Sequence, residues 1–262
     1  MILFRHNDLV FELSTPEYEL PVFGFKIGEL RLINASIPNT TNFDIIPLSG
    51  IINYFTEHNI RICTFRGKED ITVVRELEKS GFLFVSSYNV VECAKNDFRP
   101  INIVSKFNVE VAKESDFDEI LAIEKLVKDY STFSIDPLIS DNASSTRNVI
   151  RVRSHFSKKN HRIYIVKVDS IIAGFIQFVI DYENRIAHTL NAAIRPEYQG
   201  NNIGKVLFSD SFEAVFNDNC DLITSDYSTQ NIGSARLHEK CNFKIIRHDI
   251  HLRLFLENIN CK

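Results

Sequence analysis

The sequence has no tryptophan, a single methionine and no apolar run of the roughly 18 residues that a membrane-spanning helix needs. It also lacks the basic and then apolar leader that directs a chain to secretion. Its five cysteines form no Cys-x-x-Cys pair and are odd in number, which disfavours a disulfide framework and a structural zinc site. These absences predict a cytoplasmic protein that binds no metal and contacts no membrane.

The charge balance is mildly acidic, because 30 Lys and Arg residues are set against 34 Asp and Glu residues. A general nucleic-acid binder needs a basic excess to contact phosphates, so nucleic acid is not an expected partner. Residues 147–167 depart from this balance, since they hold seven Lys or Arg side chains and no acid. This basic stretch either steers an anionic ligand toward the protein or forms the solvated face of a helix.

The first 100 residues predict a small α/β domain. Alternating apolar and polar side chains predict strands over 21–33, 60–65 and 82–93. Residues 68–80 carry apolar side chains at helical spacing, and Gly81 is suited to end that helix. Turn-forming residues then interrupt the pattern, which places a domain boundary within 95–105.

Residues 101–262 predict a second and larger α/β domain. A helix is expected to begin near Ser115 and Asp116, because a short acid stands at the capping position. The elements that follow are a strand over 162–168, a turn at 169–170, strands over 171–180 and 186–194, a helix over 203–216, a strand over 221–225, a helix over 231–240 and a strand over 243–256. This order predicts an α/β (α+β) sandwich with a mixed, mostly antiparallel central sheet flanked by helices.

Residues 192–205 are the most informative segment. A strand stops at Pro196, and a glycine-containing loop then leads into a helix. The first N–H groups of a helix lack backbone acceptors and lie at the positive end of its dipole, so they suit a diphosphate. Gly200 and Gly204 would let phosphate oxygens approach the backbone closely. The segment is neither a P-loop nor the dinucleotide-binding GxGxxG motif.

This loop resembles the coenzyme A loop of the GNAT family of acyl-CoA-dependent N-acyltransferases, [Q/R]-x-x-G-x-[G/A] after V/I-x-P-E-Y. Residues 194–198, Gln199 and Gly204 match, whereas Asn202 replaces a glycine. Among residue types, Asn is second only to Gly in tolerating the left-handed conformation, so we expect the turn to be retained. The resemblance implies acetyl-CoA or another short acyl-CoA as co-substrate. The implied cofactor-binding residues are Ala192, Ala193, Ile194, Gln199, Gly200, Asn201, Asn202, Ile203, Gly204, Lys205 and Asn231.

Residues 231–243 resemble the next GNAT motif, N-x-x-A-x-x-L-Y-x-x-x-G-F. Asn231, which in the family bonds the pantetheine arm, matches, and so does Phe243. His238 stands where the family has the Tyr that protonates the leaving thiolate, and Asn242 replaces a glycine. A His can donate a proton near neutral pH, so His238 is a candidate general acid. The other interpretation is that His238 is a partly buried helix residue that packs against the sheet.

Two more segments resemble GNAT enzymes that acylate nucleotide-linked amino sugars, such as the dTDP-fucosamine acetyltransferases. Residues 19–30 are similar to the FFGF-x-I-G-x-L signature of that subgroup. Residues 130–137 are similar to its S-R-F-H-x-D segment, with Thr132 and Ser134 in place of Arg and His. The substrate-binding residues that this resemblance implies are Phe23, Phe133 and Asp136.

The resemblance as a whole implies a sugar N-acyltransferase of O-antigen or capsule-type polysaccharide biosynthesis. In a ternary complex, an acetyl or short acyl group such as 3-hydroxybutanoyl would pass from acyl-CoA to the amine of a dTDP-linked 3-amino- or 4-amino-dideoxyhexose. Residues 1–100 would be a degenerate GNAT-like half, and 101–262 the acyltransferase domain. The basic stretch would then meet the nucleotide sugar or the 3′-phosphate of coenzyme A.

The general base and the alternatives stay open at this point. Asp226, His188 and Glu183 lie on or beside the expected central strands, and each is a candidate base. The enzyme could instead acylate another small amine, or the protein could bind coenzyme A without turnover. The sequence also leaves a homodimer open.

Overall fold

The chain forms two compact units in the structure, a computed structural model that describes residues 2–16, 20–33, 44–103, 107–127, 130–156 and 158–256. Unit 1 comprises residues 1–88, 132–144 and 248–262, and unit 2 comprises residues 89–131 and 145–247. Unit 1 is discontinuous in sequence, so this division differs from the single boundary expected within 95–105. Residues 104 and 105 of that expected boundary, and Glu19 of the amino-sugar signature, lie outside the described residues.

The described residues of unit 1 form a sheet with helices beside it. Its strands are β1 (Ile2–His6), β2 (Leu9–Ser14), β3 (Lys26–Leu32), β4 (Asp44–Pro47), β5 (Ile60–Lys68) and the unit 1 residues of β6 (Leu83–Ala94) and β12 (Lys244–Phe255). Its helices are α1 (Leu20–Phe23), α2 (Ile51–Glu57) and α3 (Ile71–Lys79). The strands are ordered β4-β1-β2-β3-β5-β12, with parallel pairing in β1–β4 and β3–β5 and antiparallel pairing elsewhere.

Phenylalanine builds the core of unit 1. Phe4 and Phe55 meet edge to face, as do Phe11 and Phe65, and all four side chains are buried. This geometry is the one that aromatic pairs prefer. The helix predicted over 68–80 is confirmed as α3, which Asp70 caps by accepting the N–H groups of Thr72 and Val73.

The strand predicted over 21–33 is wrong in its first part. Residues 20–23 form the short helix α1, and the N–H of Gly24 donates to the carbonyl of Leu20 at 2.9 Å. Gly24 has φ +72, a conformation that glycine adopts without steric cost. The chain therefore turns before β3 begins at Lys26, although the apolar alternation around Phe23 imitates a strand.

Unit 2 holds the remaining elements, which confirm the predicted fold class. Its helices are α4 (Phe117–Leu126), the unit 2 residues of α5 (Asp141–Phe156), α6 (Ile203–Asn217) and α7 (Ile232–Lys240). Its strands, besides the unit 2 residues of β6 and β12, are β7 (Val109–Val111), β8 (His161–Val168), β9 (Ile171–Asp181), β10 (Ile186–Ile194) and β11 (Leu222–Ser228). They are ordered β6-β11-β10-β9-β8-β7, antiparallel from β7 to β10 and parallel between β10 and β11.

Helices cover both faces of the unit 2 sheet. On one face, named here the α6 face, Phe178 of β9 packs with Phe212 of α6. On the other, the α4 face, Phe175 of β9 packs with Ile123 of α4 and Val152 of α5. Side chains alternate along a regular strand, so these contacts fix the direction of the side chains from Phe175 to Ile180 of β9.

Local features of unit 2 follow the sequence. The predicted turn at Asp169 and Ser170 is confirmed, and both residues have positive φ, as a two-residue hairpin turn of type I′ requires. Most of the basic stretch lies on α5 and β8, where Arg153 is exposed but Arg147 is buried. No helix in the described part of the chain is long and apolar enough to span a membrane.

Unit 1 encloses a buried ion pair between Arg253 of β12 and Asp136. Their side chains are 1% and 6% exposed, and Nη1 of Arg253 donates to Oδ2 of Asp136 at 2.5 Å. The same nitrogen donates to the carbonyl of Thr132, and the guanidinium lies 4.3 Å from the ring centroid of Phe133. Because both charges are out of water, each depends on the other for its compensation.

We expect Asp136→Asn to lower the free energy of unfolding by about 3 kcal/mol or more, because it leaves a buried guanidinium without its counter-charge. Urea denaturation measures this loss. The matched control is Asp221→Asn, which breaks the exposed pair of Asp221 with Arg185 and should cost less than about 1 kcal/mol. Equal, small losses in the two variants would contradict the structural role assigned to the buried pair.

Candidate active site

The central strands of unit 2 separate after a short stretch of pairing. β10 and β11 pair in parallel only at residues 186–188 with 222–224, although both strands run on for several residues. Beyond His188 and Thr224, the described residues contain no further pairing between these two strands. The edge of β10 that faces β11 is therefore open from residue 189 onward.

A β-bulge lies where the separation begins. The register of β10 against β9 shifts between Thr189 and Asn191, so Leu190 is the extra residue. His188 pairs with Val179, and Asn191 pairs with Gln177, both on the α4 face. The bulge thus makes His188 and Asn191 successive side chains on the same face, where a regular strand would place residues 188 and 190.

Two backbone N–H groups point into the open edge. The N–H of Arg195 donates to the carbonyl of Ala173 on β9 at 2.8 Å. Backbone groups alternate between the two edges of an antiparallel strand, so Ile194 and Ala192 direct theirs away from β9, whereas Ala193 points toward β9. A ligand amide or carbonyl beside β10 would find donors at Ala192 and Ile194.

The backbone of the loop after β10 is shaped by left-handed residues. Gly200 has φ +81, and Asn202 has φ +63, which confirms the left-handed turn expected at this position. Asn202 caps α6, and its side chain accepts a hydrogen bond from Nζ of Lys205 at 2.5 Å. Gln199 donates to the carbonyl of Ile194 at 3.1 Å and so closes the loop onto the strand.

The start of α6 offers unpaired donors. The N–H groups of Lys205 and Val206 both donate to the carbonyl of Asn202. Those of Ile203 and Gly204 have no acceptor among the described residues. They stand at the positive end of a 15-residue helix, so the loop is suited to bind phosphate oxygens.

Asn231 caps the other helix of the α6 face. Its Oδ1 accepts from the N–H of Ser234 at 3.0 Å, which fixes the side chain at the start of α7. Its Nδ2 has no hydrogen-bond acceptor among the described residues, so that amide can donate to a ligand.

His238 is buried on α7 and 2% exposed. Its Nδ1 lies 2.8 Å from the carbonyl of Ser234, so this nitrogen carries the proton, and Nε2 lies 2.9 Å from the hydroxyl of Ser225. Burial lowers the pKa of His238 to about 4, and its ring stacks on Tyr227. These contacts are those of a buried helix residue that packs against the sheet. The role of His238 as general acid stays a prediction.

His188 occupies the point at which the two strands part. Its Nδ1 lies 2.8 Å from Oγ1 of Thr224, and that hydroxyl donates to the carbonyl of Ala187. In the tautomer in which Nδ1 of His188 donates to Thr224, Nε2 is the basic nitrogen. Asp226, two residues beyond Thr224, shares the α4 face with His188 because side chains alternate along β11.

An open groove of about 540 Å³ lies beside His188 at the β9–β10 turn. It is lined by Asn160, Val179, Ile180, Asp181, Tyr182, Glu183, Ile186 and His188. Glu183, one of the expected base candidates, lies in this wall. The described residues contain no group of three or more His, Cys, Asp or Glu side chains that could hold a metal ion.

The three residues expected to bind substrate all lie in unit 1. The rings of Phe23 and Phe133 meet at 5.9 Å between centroids, and Asp136 is held by Arg253. Phe133 and Asp136 are buried, so the structure shows them in packing and ion-pair contacts. Substrate binding by these residues stays a prediction.

Two acidic residues of α4 that no sequence motif singles out contact β10 and the loop after it. Glu119 accepts from Arg195 and from the N–H of Ile172, and Glu124 accepts from Asn191. Helical spacing could have found Glu124, because it falls four residues after Ile120 on the apolar face.

Known proteins resemble this chain in sequence over part of its length and in fold over nearly all of it. Residues 123–243 match the model of the Acetyltransferase (GNAT) family. No curated protein matches the chain's sequence.

Solved structures show the same fold over nearly the whole chain. A GCN5-related N-acetyltransferase from Sphaerobacter thermophilus is 10% identical with a TM-score of 0.63, covering 95% of this chain and 77% of the other. A tandem GNAT protein from the clavulanic acid biosynthesis pathway is 10% identical with a TM-score of 0.62, covering 95% and 79%. A GCN5-related N-acetyltransferase from Kribbella flavida is 12% identical with a TM-score of 0.59, covering 94% and 86%. At these identities the likeness establishes the fold.

We expect Asn202→Ala to weaken coenzyme A binding at least about fivefold, because a left-handed alanine costs roughly 1 kcal/mol or more and distorts the loop. Isothermal titration calorimetry measures the affinity. Asn202→Gly should bind like the wild type. Asn219→Ala is the matched control, since Asn219 also has positive φ but lies beyond the opposite end of α6. An affinity loss in the Asn219 variant equal to that at Asn202 would contradict a local effect.

Proposed function

We propose that the protein transfers an acyl group from coenzyme A to an amine, a proposal supported by the match of residues 123–243 to the Acetyltransferase (GNAT) family model. The observation that carries the proposal is the separation of β10 from β11 at a bulge, directly before a phosphate-suited loop. Such an open edge accommodates an extended amide-containing arm, and the loop accommodates the diphosphate at the end of that arm. Coenzyme A has both parts.

The cofactor's contacts follow from the donors. Ile203 and Gly204 would bind its diphosphate, Ile194 and Asn231 would bind the amides of its pantetheine arm, and Ala192 would donate to the thioester oxygen. A donor aimed at the oxygen on which charge develops lowers the barrier by about 3 kcal/mol. Small side chains at 192 and 193 keep the edge of β10 accessible.

The proposed acceptor is the amine of a dTDP-linked 3-amino- or 4-amino-dideoxyhexose, and the acyl group is acetyl or a short homologue. This part of the proposal is supported by the likeness of residues 19–30 and 130–137 to the amino-sugar signatures. Another small amine is the alternative, and so is coenzyme A binding without turnover. Phe23, Phe133 and Asp136 are the proposed substrate-binding residues.

The proposed reaction is direct attack in a ternary complex. The amine nitrogen forms a bond to the thioester carbon, and the carbon–sulfur bond then breaks. His188 accepts the amine proton at Nε2, with Asp226 as the second candidate on the same face. Holding both reactants in line supplies a large share of the rate.

The proposed source of the proton for the leaving thiolate is His238 of α7. In its imidazolium form, His238 would donate from Nε2 to the hydroxyl of Ser225, and the hydroxyl proton would pass to the sulfur. Ser225 is the first residue of β11 beyond its pairing with β10, so it borders the open edge. Burial disfavours the imidazolium form of His238. The rate of this step would therefore depend strongly on the side chain at position 238.

We expect the purified protein to release free thiol from acetyl-CoA when a dTDP-amino sugar is supplied. A thiol-reactive dye measures the release, and dTDP sugars without the amine are the control. Release only with polyamines, amino acids or aminoglycosides would overturn the sugar assignment. Coenzyme A binding with no release for any amine would favour a protein that binds the carrier without turnover.

We expect His238→Phe to lower kcat at least about tenfold with little change in coenzyme A affinity, because phenylalanine packs but cannot donate a proton. His238→Tyr should retain most of the turnover. Steady-state kinetics and calorimetry give the two quantities. Wild-type kcat in the Phe variant would leave His238 as a packing residue.

A further inference from the structure

Glu124 is a charged side chain placed inside unit 2. It lies on α4 and is 4% exposed, and its helix neighbours Ile120 and Ile123 pack into the apolar cluster of the α4 face. A carboxylate in such surroundings loses its hydration, which is costly unless polar partners replace the water. Burying Glu124 therefore costs free energy that an apolar residue at this position would not cost.

Glu124 meets β10 at the bulge. Nδ2 of Asn191 donates to Oε2 of Glu124 at 2.8 Å. Among the described residues, the Asn191 side chain makes no other hydrogen bond. Asn191 is the first residue after the extra residue Leu190, so the contact joins α4 to the point at which the strand changes direction.

The neighbouring strand does not hold Asn191 in the same way. Gln177 of β9 is the cross-strand partner of Asn191 and is 1% exposed. Its Nε2 has no hydrogen-bond partner among the described residues. Glu124 is thus the polar group that fixes the orientation of the Asn191 side chain.

We propose that Glu124 is a positioning residue for acyl transfer: by holding Asn191, it fixes the bulge and with it the direction of the Ala192 N–H. The inference rests on the proposed function and adds to it a residue on a different element. Ala192 follows Asn191 directly, so a rotation at Asn191 moves its N–H. A displacement of about 1 Å at a reacting group can cost up to about a hundredfold in rate.

This role differs from that of a base. A positioning carboxylate works through its hydrogen bond, and the Oε1 of a glutamine can accept the same bond from Asn191. A base works through its charge, and glutamine cannot replace that. The coenzyme A loop at 199–205 is not part of this contact, so positioning affects kcat and leaves coenzyme A affinity unchanged.

The test compares Glu124→Gln, Glu124→Ala and Asn191→Ala with the wild type, using thiol release with the best amine and calorimetry with coenzyme A. We expect roughly a tenfold to hundredfold loss of kcat in both alanine variants, with the Kd for coenzyme A unchanged. Glu124→Gln should keep kcat within about threefold, because it keeps the hydrogen bond. The double alanine variant should lose no more than either single variant.

Asp118→Asn is the matched control, since Asp118 is an exposed acid on the same helix, and it should leave kcat unchanged. Wild-type kcat in Asn191→Ala, which removes the contact from the strand side, would overturn the inference even if Glu124→Ala does not fold. A loss in Glu124→Gln equal to that in Glu124→Ala, with the acidic limb of the pH profile gone, would also overturn it and make Glu124 a base. No turnover in the wild type would instead defeat the proposed function.

Discussion

The unpaired edge of β10 is the constraint on which the unit 2 site depends. Backbone donors and acceptors in a sheet require partners, and β11 supplies them only as far as His188. The bulge lets β10 stay paired with β9 while its other edge opens. The backbone N–H groups on this edge of β10 have no partner strand, so they can bind a ligand that carries amide and carbonyl groups.

The two faces of the unit 2 sheet carry different kinds of side chain. The α6 face is largely apolar and aromatic and gives the loop after β10 a rigid helix to lead into. The α4 face carries polar side chains beside the opening, with His188 bound to Thr224 and Asn191 bound to Glu124. Burying these groups costs desolvation, and their mutual hydrogen bonds offset it. In unit 1 the same balance is met by the pair of Arg253 and Asp136.

Much of the fold could be predicted because periodicity reports burial. The helices over 68–80, 203–216 and 231–240 and the hairpin around 169–170 are present with ends within a few residues of those expected. The left-handed Asn202 followed from the preferences of one residue type. The error at 21–23 arose because alternation over a few residues does not distinguish a strand from a helical turn ended by glycine.

The sequence by itself determined the unit 2 elements from β8 to α7, the loop that precedes α6 and the resemblance to acyl-CoA-dependent transferases, since these depend on neighbours along the chain. The tertiary structure decided which side chains meet. Arg253 lies 117 residues from Asp136, and Glu124 lies 67 from Asn191, so no local pattern connects them. It also decided that residues 132–144 and 248–262 belong with the N-terminal residues. Contacts between distant segments arise only when apolar surfaces are buried together, and that requires the whole chain.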